Sequence, residues 1–234
     1  TRDMDGRPLG IRKNLRGPSV IEECEASLGR LGTEPIDIYQ CHFPDDAIHA
    51  EETMGALIKL SEQGKIRAIG VSNFSAEQMA KFNAISPIHS DQPHYSLLNR
   101  DIEAEVLPYC RENGIAVLTH STMERGLLTG KISKDQTFPE GDHRANQVWF
   151  QPPNRARALD AAEKIRPIAE AHNATLGQLS VAWIIAQPGV TSAIVGARNP
   201  GQVEENARAF EISLSDDEIQ EIRRIFETLG DPVR

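Results

Sequence analysis

The chain has 234 residues, of which 39% are hydrophobic and 25% are charged, and this composition is typical of a globular protein with enough apolar material for a core. The formal net charge of −9 argues against general nucleic-acid binding, which needs a basic surface. The longest apolar stretches are far shorter than the roughly 20 residues of a membrane span. Three widely spaced cysteines fit neither a disulfide framework nor a zinc site. We therefore expect no nucleic acid, no membrane and no metal, and reduced thiols in a cytoplasmic protein.

Strand-like and helix-like segments alternate along the chain without a low-complexity linker. The strand candidates are short and rich in Ile, Val or Ala, which is typical of strands that are covered on both faces. These candidates are Ile36–Cys41, Ile66–Val71, Ile88–Gln92, Ile115–Thr119 and Ser192–Val195.

Helix starts are indicated by pairs of residues with capping-box spacing. The pairs are Ser19 with Glu22, Ser75 with Gln78, Asn199 with Gln202, and Ser215 with Glu218. Gly64 and Gly114 follow predicted helices, where a left-handed residue is favoured. Residues 133–153 are rich in Pro, Gly, Asp and Asn, and this pattern predicts a long surface loop.

Regular alternation of strands and helices predicts a parallel sheet. An open doubly wound sheet and a (β/α)₈ barrel both fit the pattern. The G-x-G-x-x-G fingerprint of a dinucleotide-binding doubly wound domain is absent. A barrel, in turn, needs about three strands more than the five that the sequence indicates.

Polar residues follow the predicted strands at the points where they end. In a barrel these ends meet on one face, and that face holds the active site. The polar strand ends are His42, Ser72 with Asn73, Gln92, His120 with Ser121, and residues 196–198.

Apart from His120 and Ser121, these positions lie within motifs that resemble the aldo-keto reductase family, most closely its bacterial general-stress and potassium-channel-β-like branch. The motifs are "SLGRLGTEPIDIYQCHFPD", "GKIRAIGVSNFS", "QPHYSLLNR", "RGLLTGK" and "GARNPGQVEEN". The resemblance implies a single (β/α)₈ TIM barrel domain over residues 1–234, incomplete, with about five of eight strands present. The chain begins at Thr1 without a Met, and we expect it to be truncated at its N-terminus.

The resemblance also implies the chemistry. Members of the family reduce aldehydes and ketones to alcohols with NADP(H), and NAD(H) is the less favoured cofactor here. A His donates to the carbonyl oxygen, and the matching residue is His42. The family's catalytic Asp, Tyr and Lys belong to segments that would precede Thr1, so we expect this chain to be inactive by itself. The other histidines are assigned no role: His49, His89, His94, His143 and His172.

The same resemblance assigns the cofactor contacts. Ser72, Asn73 and Gln92 match the residues that hold the nicotinamide carboxamide, and His120 stands where the family places a stacking aromatic. Three further groups of contacts follow. The pyrophosphate contacts are Ser121, Thr122, Met123, Glu124 and Arg125, partly through backbone N–H groups; the nearby positive charges are Lys131 and Arg144; and the adenosine contacts are Gly196, Arg198, Gln202, Glu205 and Asn206.

Two alternatives to a working enzyme remain open at this point. One is a regulatory protein that binds the cofactor on the same fold without catalysing a reaction. The other is an inactive remnant. For the enzyme, the expected partner is a small carbonyl substrate, and the sequence does not indicate an oligomeric state.

Overall fold

The computed structural model describes residues 13–233. The chain forms two compact units. The first unit ends at Pro93 and also contains Pro108–Ala116, and the second contains His94–Leu107 and the chain from Val117 onward.

The first unit alternates helices with the strands of a parallel sheet. Its elements are α1 (Gly17–Leu31), β1 (Ile36–Cys41), α2 (Ala50–Glu62), β2 (Ile66–Ser72), α3 (Ala76–Asn83), β3 (Ser90–Gln92) and most of α4 (Val106–Asn113). The order β1–β2–β3 follows the chain, as in the wall of a barrel. Ile36 lies opposite Ile66, and Gly70 lies opposite Ser90.

The second unit contains a parallel strand pair and the remaining helices. Its elements are β4 (Ala116–Thr119, of which Ala116 falls in the first unit), α5 (Pro152–Lys164), α6 (Arg166–Ala171), α7 (Leu176–Ile185), β5 (Val190–Ala193), α8 (Pro200–Ala207) and α9 (Asp216–Glu227). Val117 lies opposite Val190, and the register shifts between Val117 and Leu118. The predicted α/β fold with a parallel sheet is therefore confirmed.

The strand predictions were accurate in position but not in burial. β1 has the predicted bounds, and β5 begins two residues before its prediction, at Val190. β2 is largely buried, as strands covered on both faces are, whereas Ile38 in β1 and Ile194 after β5 are 44% and 43% exposed. The expectation of full burial was wrong for β1 and β5, because each pairs with a single neighbour among the described strands.

The helix starts show which capping signals operate. Complete capping boxes form at Ser75 and Ser215, and the Asn199 side chain accepts from the backbone N–H of Gln202. The prediction for Ser19 was wrong, because α1 already begins at Gly17 and Ser19 lies within its first turn. Pro18, with its fixed φ and missing N–H, is well suited to that first turn and explains the earlier start.

The core of the second unit centres on α7, which is buried on nearly every face. Its Trp183 is fully buried, and the indole Nε1–H donates to the backbone oxygen of Ile219 in α9 at 3.1 Å. Ile222 and Phe226 of α9 are buried, and their spacing of four residues places both on one face of the helix.

The segment 133–153 is only partly the surface loop that its composition predicted. Short 3₁₀ turns form at His143–Asn146 and Val148–Phe150. Trp149 and Phe150 are buried in a cluster with Leu127, Ala158 and Leu159. The Gly- and Pro-rich part therefore lies outside the core, but its two aromatic residues contribute to it.

Candidate functional site

The carboxyl ends of β1, β2 and β3 bring four predicted site residues together in the first unit. The Ser72 hydroxyl donates to the backbone oxygen of Gln92 at 2.7 Å, and the Asn73 backbone N–H donates to the same oxygen at 3.2 Å. The Asn73 amide donates to the backbone oxygen of His42 at 3.1 Å and to the Ser72 hydroxyl at 2.9 Å. Asn73 has a φ of 60°, a left-handed conformation that Asn tolerates better than most residues.

Gln40 supports this cluster, and the sequence analysis did not identify it. Its side-chain oxygen accepts from the Gln92 amide at 2.9 Å, and its amide donates to the Ser90 hydroxyl at 3.2 Å. Gly70 lies between Gln40 and Ser90 in the sheet, and a Cβ at this position would overlap the Ser90 hydroxyl. The only signal in the sequence was the polar Gln within an apolar strand.

His42 follows β1 directly, and its side chain is exposed. Its ring lies 4.6 Å from the Phe43 ring, centroid to centroid. The Asn73 amide binds the backbone oxygen of His42, and the exposed His42 imidazole can donate a hydrogen bond to a small polar ligand.

Asp91, next to Gln92, is a second residue that the sequence analysis missed. It is completely buried, and neither of its carboxylate oxygens has a hydrogen-bond partner among residues 13–233. Burial raises the pKa of this carboxyl to about 7, and the nearby backbone N–H groups of Gln92 and Phe74 oppose part of the rise. Asp91 is therefore neutral over much of the acid range.

The segment after β4, in the second unit, has an unusual backbone. Ser121, Glu124 and Arg125 have φ values of 56°, 45° and 52°, and Gly126 follows with 96°. Such left-handed residues turn successive N–H groups in new directions and can form a cradle for an anion. Thr122 is buried, and its hydroxyl has no partner in the described chain.

The predicted cations in this unit differ in how they are held. Lys131 is exposed, and its ammonium lies 3.4 Å from a carboxylate oxygen of Glu205. Arg144 binds the Asp142 carboxylate through Nε and Nη2, at 3.0 and 2.6 Å, and lies over the Phe138 ring. Its charge is thus compensated locally.

The start of α8 carries the residues predicted for the adenosine end. The Gln202 side chain accepts from the Arg198 backbone N–H at 2.7 Å, and the Asn206 amide donates to the Gly196 oxygen at 3.3 Å. The Gln178 amide donates to the backbone oxygen of Glu205 at 2.7 Å. These bonds stabilise the turn before α8, and the Arg198 guanidinium is exposed, with no partner in the described part of the chain.

Two further observations concern other classes of site. Among residues 13–233, no group of three or more His, Cys, Asp or Glu side chains is arranged to hold a metal ion. No helix in this range has both the length and the apolar character that crossing a membrane requires.

The chain is similar to known proteins in both sequence and structure. Residues 6–227 match the profile of the aldo/keto reductase family. The chain is 42% identical over 98% of its length to aldo-keto reductase YhdN of Bacillus subtilis (strain 168), covering 70% of that protein. It is 40% identical over 94% of its length to the NADH-specific methylglyoxal reductase of Escherichia coli (strain K12), covering 68% of it. The glycerol dehydrogenase AKR11B4 from Gluconobacter oxydans superposes with a TM-score of 0.88 at 39% identity, over 94% of this chain and 68% of that one.

Proposed function

Because the chain belongs to the aldo/keto reductase family of oxidoreductases, we propose that it takes part in reducing aldehydes or ketones to alcohols with NADP(H). The observation that carries this proposal is the cluster of His42, Ser72, Asn73 and Gln92 at the strand ends of the first unit. The bound cofactor supplies a hydride to the carbonyl carbon. The residues of this chain bind and orient the cofactor, and they polarise the carbonyl group of the substrate.

The donor set of the first unit fits a nicotinamide carboxamide. A carboxamide has an N–H₂ group and a carbonyl oxygen, and the side chains of Asn73 and Gln92 can each donate and accept. Gln92 is held by Gln40, and Ser72 and Asn73 are held on the Gln92 backbone oxygen, so the set is rigid before a ligand arrives. This preorganisation supports a role in selecting which face of the ring is presented.

The second unit fits the phosphates and the adenosine. The left-handed run that includes Ser121 and Arg125, together with the unpaired Thr122 hydroxyl, supports binding of the pyrophosphate. The exposed Arg198 guanidinium, next to the start of α8, suits a 2′-phosphate. This supports NADP(H) over NAD(H), although one relative is named as NADH-specific.

The chemical role of His42 follows from its position. As the hydride arrives, negative charge develops on the carbonyl oxygen, and a fixed N–H donor stabilises that charge more than it stabilises the starting carbonyl. His42 is the residue in the described chain that we assign to this donation.

A cytoplasmic location is part of the same proposal. Cys24, Cys41 and Cys110 are free and buried. Burial raises the pKa of the Cys41 and Cys110 thiols to about 12, so both stay protonated and unreactive.

The test combines cofactor binding with turnover by the full chain. We expect NADPH to bind more tightly than NADH in a fluorescence titration. This chain is expected to be inactive by itself, so any turnover of a nitro-substituted benzaldehyde that it does show should depend on His42, and His42→Ala should lower that kcat by about 10²–10³ with little change in NADPH affinity. His49→Ala is the matched control, since His49 is exposed at the start of α2 and its side chain makes no capping bond.

Each departure from this result has a defined meaning. No binding of either dinucleotide contradicts the proposal as a whole. Binding without turnover of any carbonyl agrees with the inactivity expected of this chain and with the cofactor-binding regulatory protein alike. Unchanged kcat in His42→Ala removes His42 from the reaction.

A further inference from the structure

His94 has no role in the function proposed above, yet its environment in the second unit is specific. Its Nε2 lies 2.9 Å from a carboxylate oxygen of Glu124. Its ring is stacked on the ring of His120, with centroids 5.4 Å apart and an interplanar angle of 18°. His94 and His120 also lie opposite each other in an isolated parallel bridge, so the backbone places the two side chains side by side.

Glu124 is an unusual residue for its position. It has a φ of 45° and is 3% exposed, and both features are unfavourable for a carboxylate on a loop. Its oxygens are satisfied by His94, by the Ser96 hydroxyl at 2.7 Å and by the Arg125 guanidinium at 2.9 Å. Burial raises the pKa of Glu124, but the bonds from His94 and Ser96 and the Arg125 charge outweigh it, so the pKa is lowered overall. Glu124 therefore remains a carboxylate that can hold one nitrogen of His94 in place.

His120 needs such support if it is to act as a stacking platform. Imidazole is smaller than a phenol or an indole ring and offers less contact area to a nicotinamide. One edge of the His120 ring is held by the Ser121 hydroxyl, 3.0 Å from Nδ1. The stacked His94 ring covers one face, which restricts rotation about the side-chain bonds of His120.

We propose that His94, oriented by the buried Glu124, is a positioning residue that fixes the plane of His120 so that the nicotinamide ring stacks on it. The proposal rests on the proposed function. The stacking site then consists of three side chains in a row. The Glu124 carboxylate binds His94, and the His94 ring packs against one face of the His120 ring.

The test compares two ligands on each variant of the full chain. One is NADPH. The other is 2′-phospho-ADP-ribose, which has the same adenosine and phosphates but lacks the nicotinamide. We expect His94→Ala to weaken NADPH binding about three- to tenfold, since aromatic stacking contributes on that scale, while binding of 2′-phospho-ADP-ribose is unchanged. Glu124→Gln, which keeps the side-chain shape, is expected to act in the same direction with a smaller effect.

The control uses a second His–Glu pair in the same unit. His172 Nε2 lies 2.8 Å from a Glu218 oxygen, and its side chain is as exposed as that of His94, at 23%. We expect His172→Ala to change the affinity for neither ligand.

The outcomes separate this inference from the proposed function. The positioning role is overturned if His94→Ala and Glu124→Gln lose the same affinity for both ligands, or lose affinity for neither. If His94→Ala does not fold, the Glu124→Gln comparison decides alone. Failure of the wild type to bind NADPH contradicts the proposed function instead.

Discussion

At the scale of single residues, the candidate site depends on polar groups whose partners come from other segments of the chain. Gln92 is held by Gln40, and Glu124 is held by His94 and Ser96. Asp91 is the exception, since neither of its oxygens is bonded in the described chain. A buried carboxyl without hydrogen-bond partners is costly to ionise. Ionisation of Asp91 therefore lowers the stability of the fold.

Replacing Asp91 with Asn should remove a pH dependence from the stability of the protein. The pKa of Asp91 is raised from 3.8 to about 7, so its stabilising contribution is complete below pH 3.8 and is lost as the pH rises to about 7. At about 1.4 kcal/mol per pH unit, the wild type should lose on the order of 4 kcal/mol over this window relative to Asp91→Asn. Urea unfolding of both proteins across the window measures the difference.

The control for this prediction is Asp135→Asn, because Asp135 is an exposed loop aspartate. It should leave the pH profile of the unfolding free energy unchanged. Parallel profiles for the wild type and Asp91→Asn would show that Asp91 does not titrate as described.

At the scale of elements, helix starts follow local rules except where a proline moves them. Ser215 and Glu218 form a complete capping box, and bonds from Ser215 and His172 lower the pKa of Glu218 to about 2. Ser19 and Glu22 have the same spacing, but α1 begins at Gly17 and the box does not form.

Because Ser215 caps its helix and Ser19 does not, replacing each with Ala should change the free energy of unfolding by different amounts. Ser215→Ala should lower the free energy of unfolding by about 1 kcal/mol, because it removes the acceptor for the Glu218 backbone N–H. Ser19→Ala should change it by less than about 0.5 kcal/mol. If chemical denaturation shows that both substitutions lower the free energy of unfolding equally, the Ser215 cap contributes no more than an ordinary exposed serine.

At the scale of the whole molecule, what matters is which distant segments share one face of a sheet. Gly70, Gln40 and Ser90 come from three strands of the first unit and meet because β1, β2 and β3 pair in register. A Cβ on Gly70 would lie 2.8 Å from Gln40 Cγ and would overlap the Ser90 hydroxyl.

Gly70→Ala should therefore affect both stability and binding. Overpacking of this kind costs about 1–3 kcal/mol, and displacement of Gln40 should weaken NADPH binding through Gln92. Gly55→Ala is the matched control: no atom lies within 4 Å of its added Cβ, and Gly55 is inside α2. It should raise the free energy of unfolding by about 0.5–1 kcal/mol. If Gly70→Ala has the same free energy of unfolding in urea and the same NADPH affinity as the wild type, the close packing around Gly70 is contradicted.

Much of the fold and part of the site could be predicted from the sequence alone. Strand positions, the parallel sheet and the helix starts at Ser75 and Ser215 follow from short apolar runs and capping residues, which are local properties. The motifs that contain His42, Asn73 and Gln92 identified the family, which the comparisons confirmed. Their assigned roles in binding remain predictions.

Other features were decided only by the tertiary structure. The partners of Gln40, Asp91, His94 and Glu124 have no local signal in the sequence, because they are supplied by residues that other segments place against these side chains. Glu124 is a buried carboxylate only because His94 and Ser96 lie opposite it, 30 and 28 residues away in the chain. Local pattern determines which element forms, whereas burial and partners depend on long-range pairing, so the sequence by itself determined the strands and helices and the tertiary structure determined which polar side chains act together.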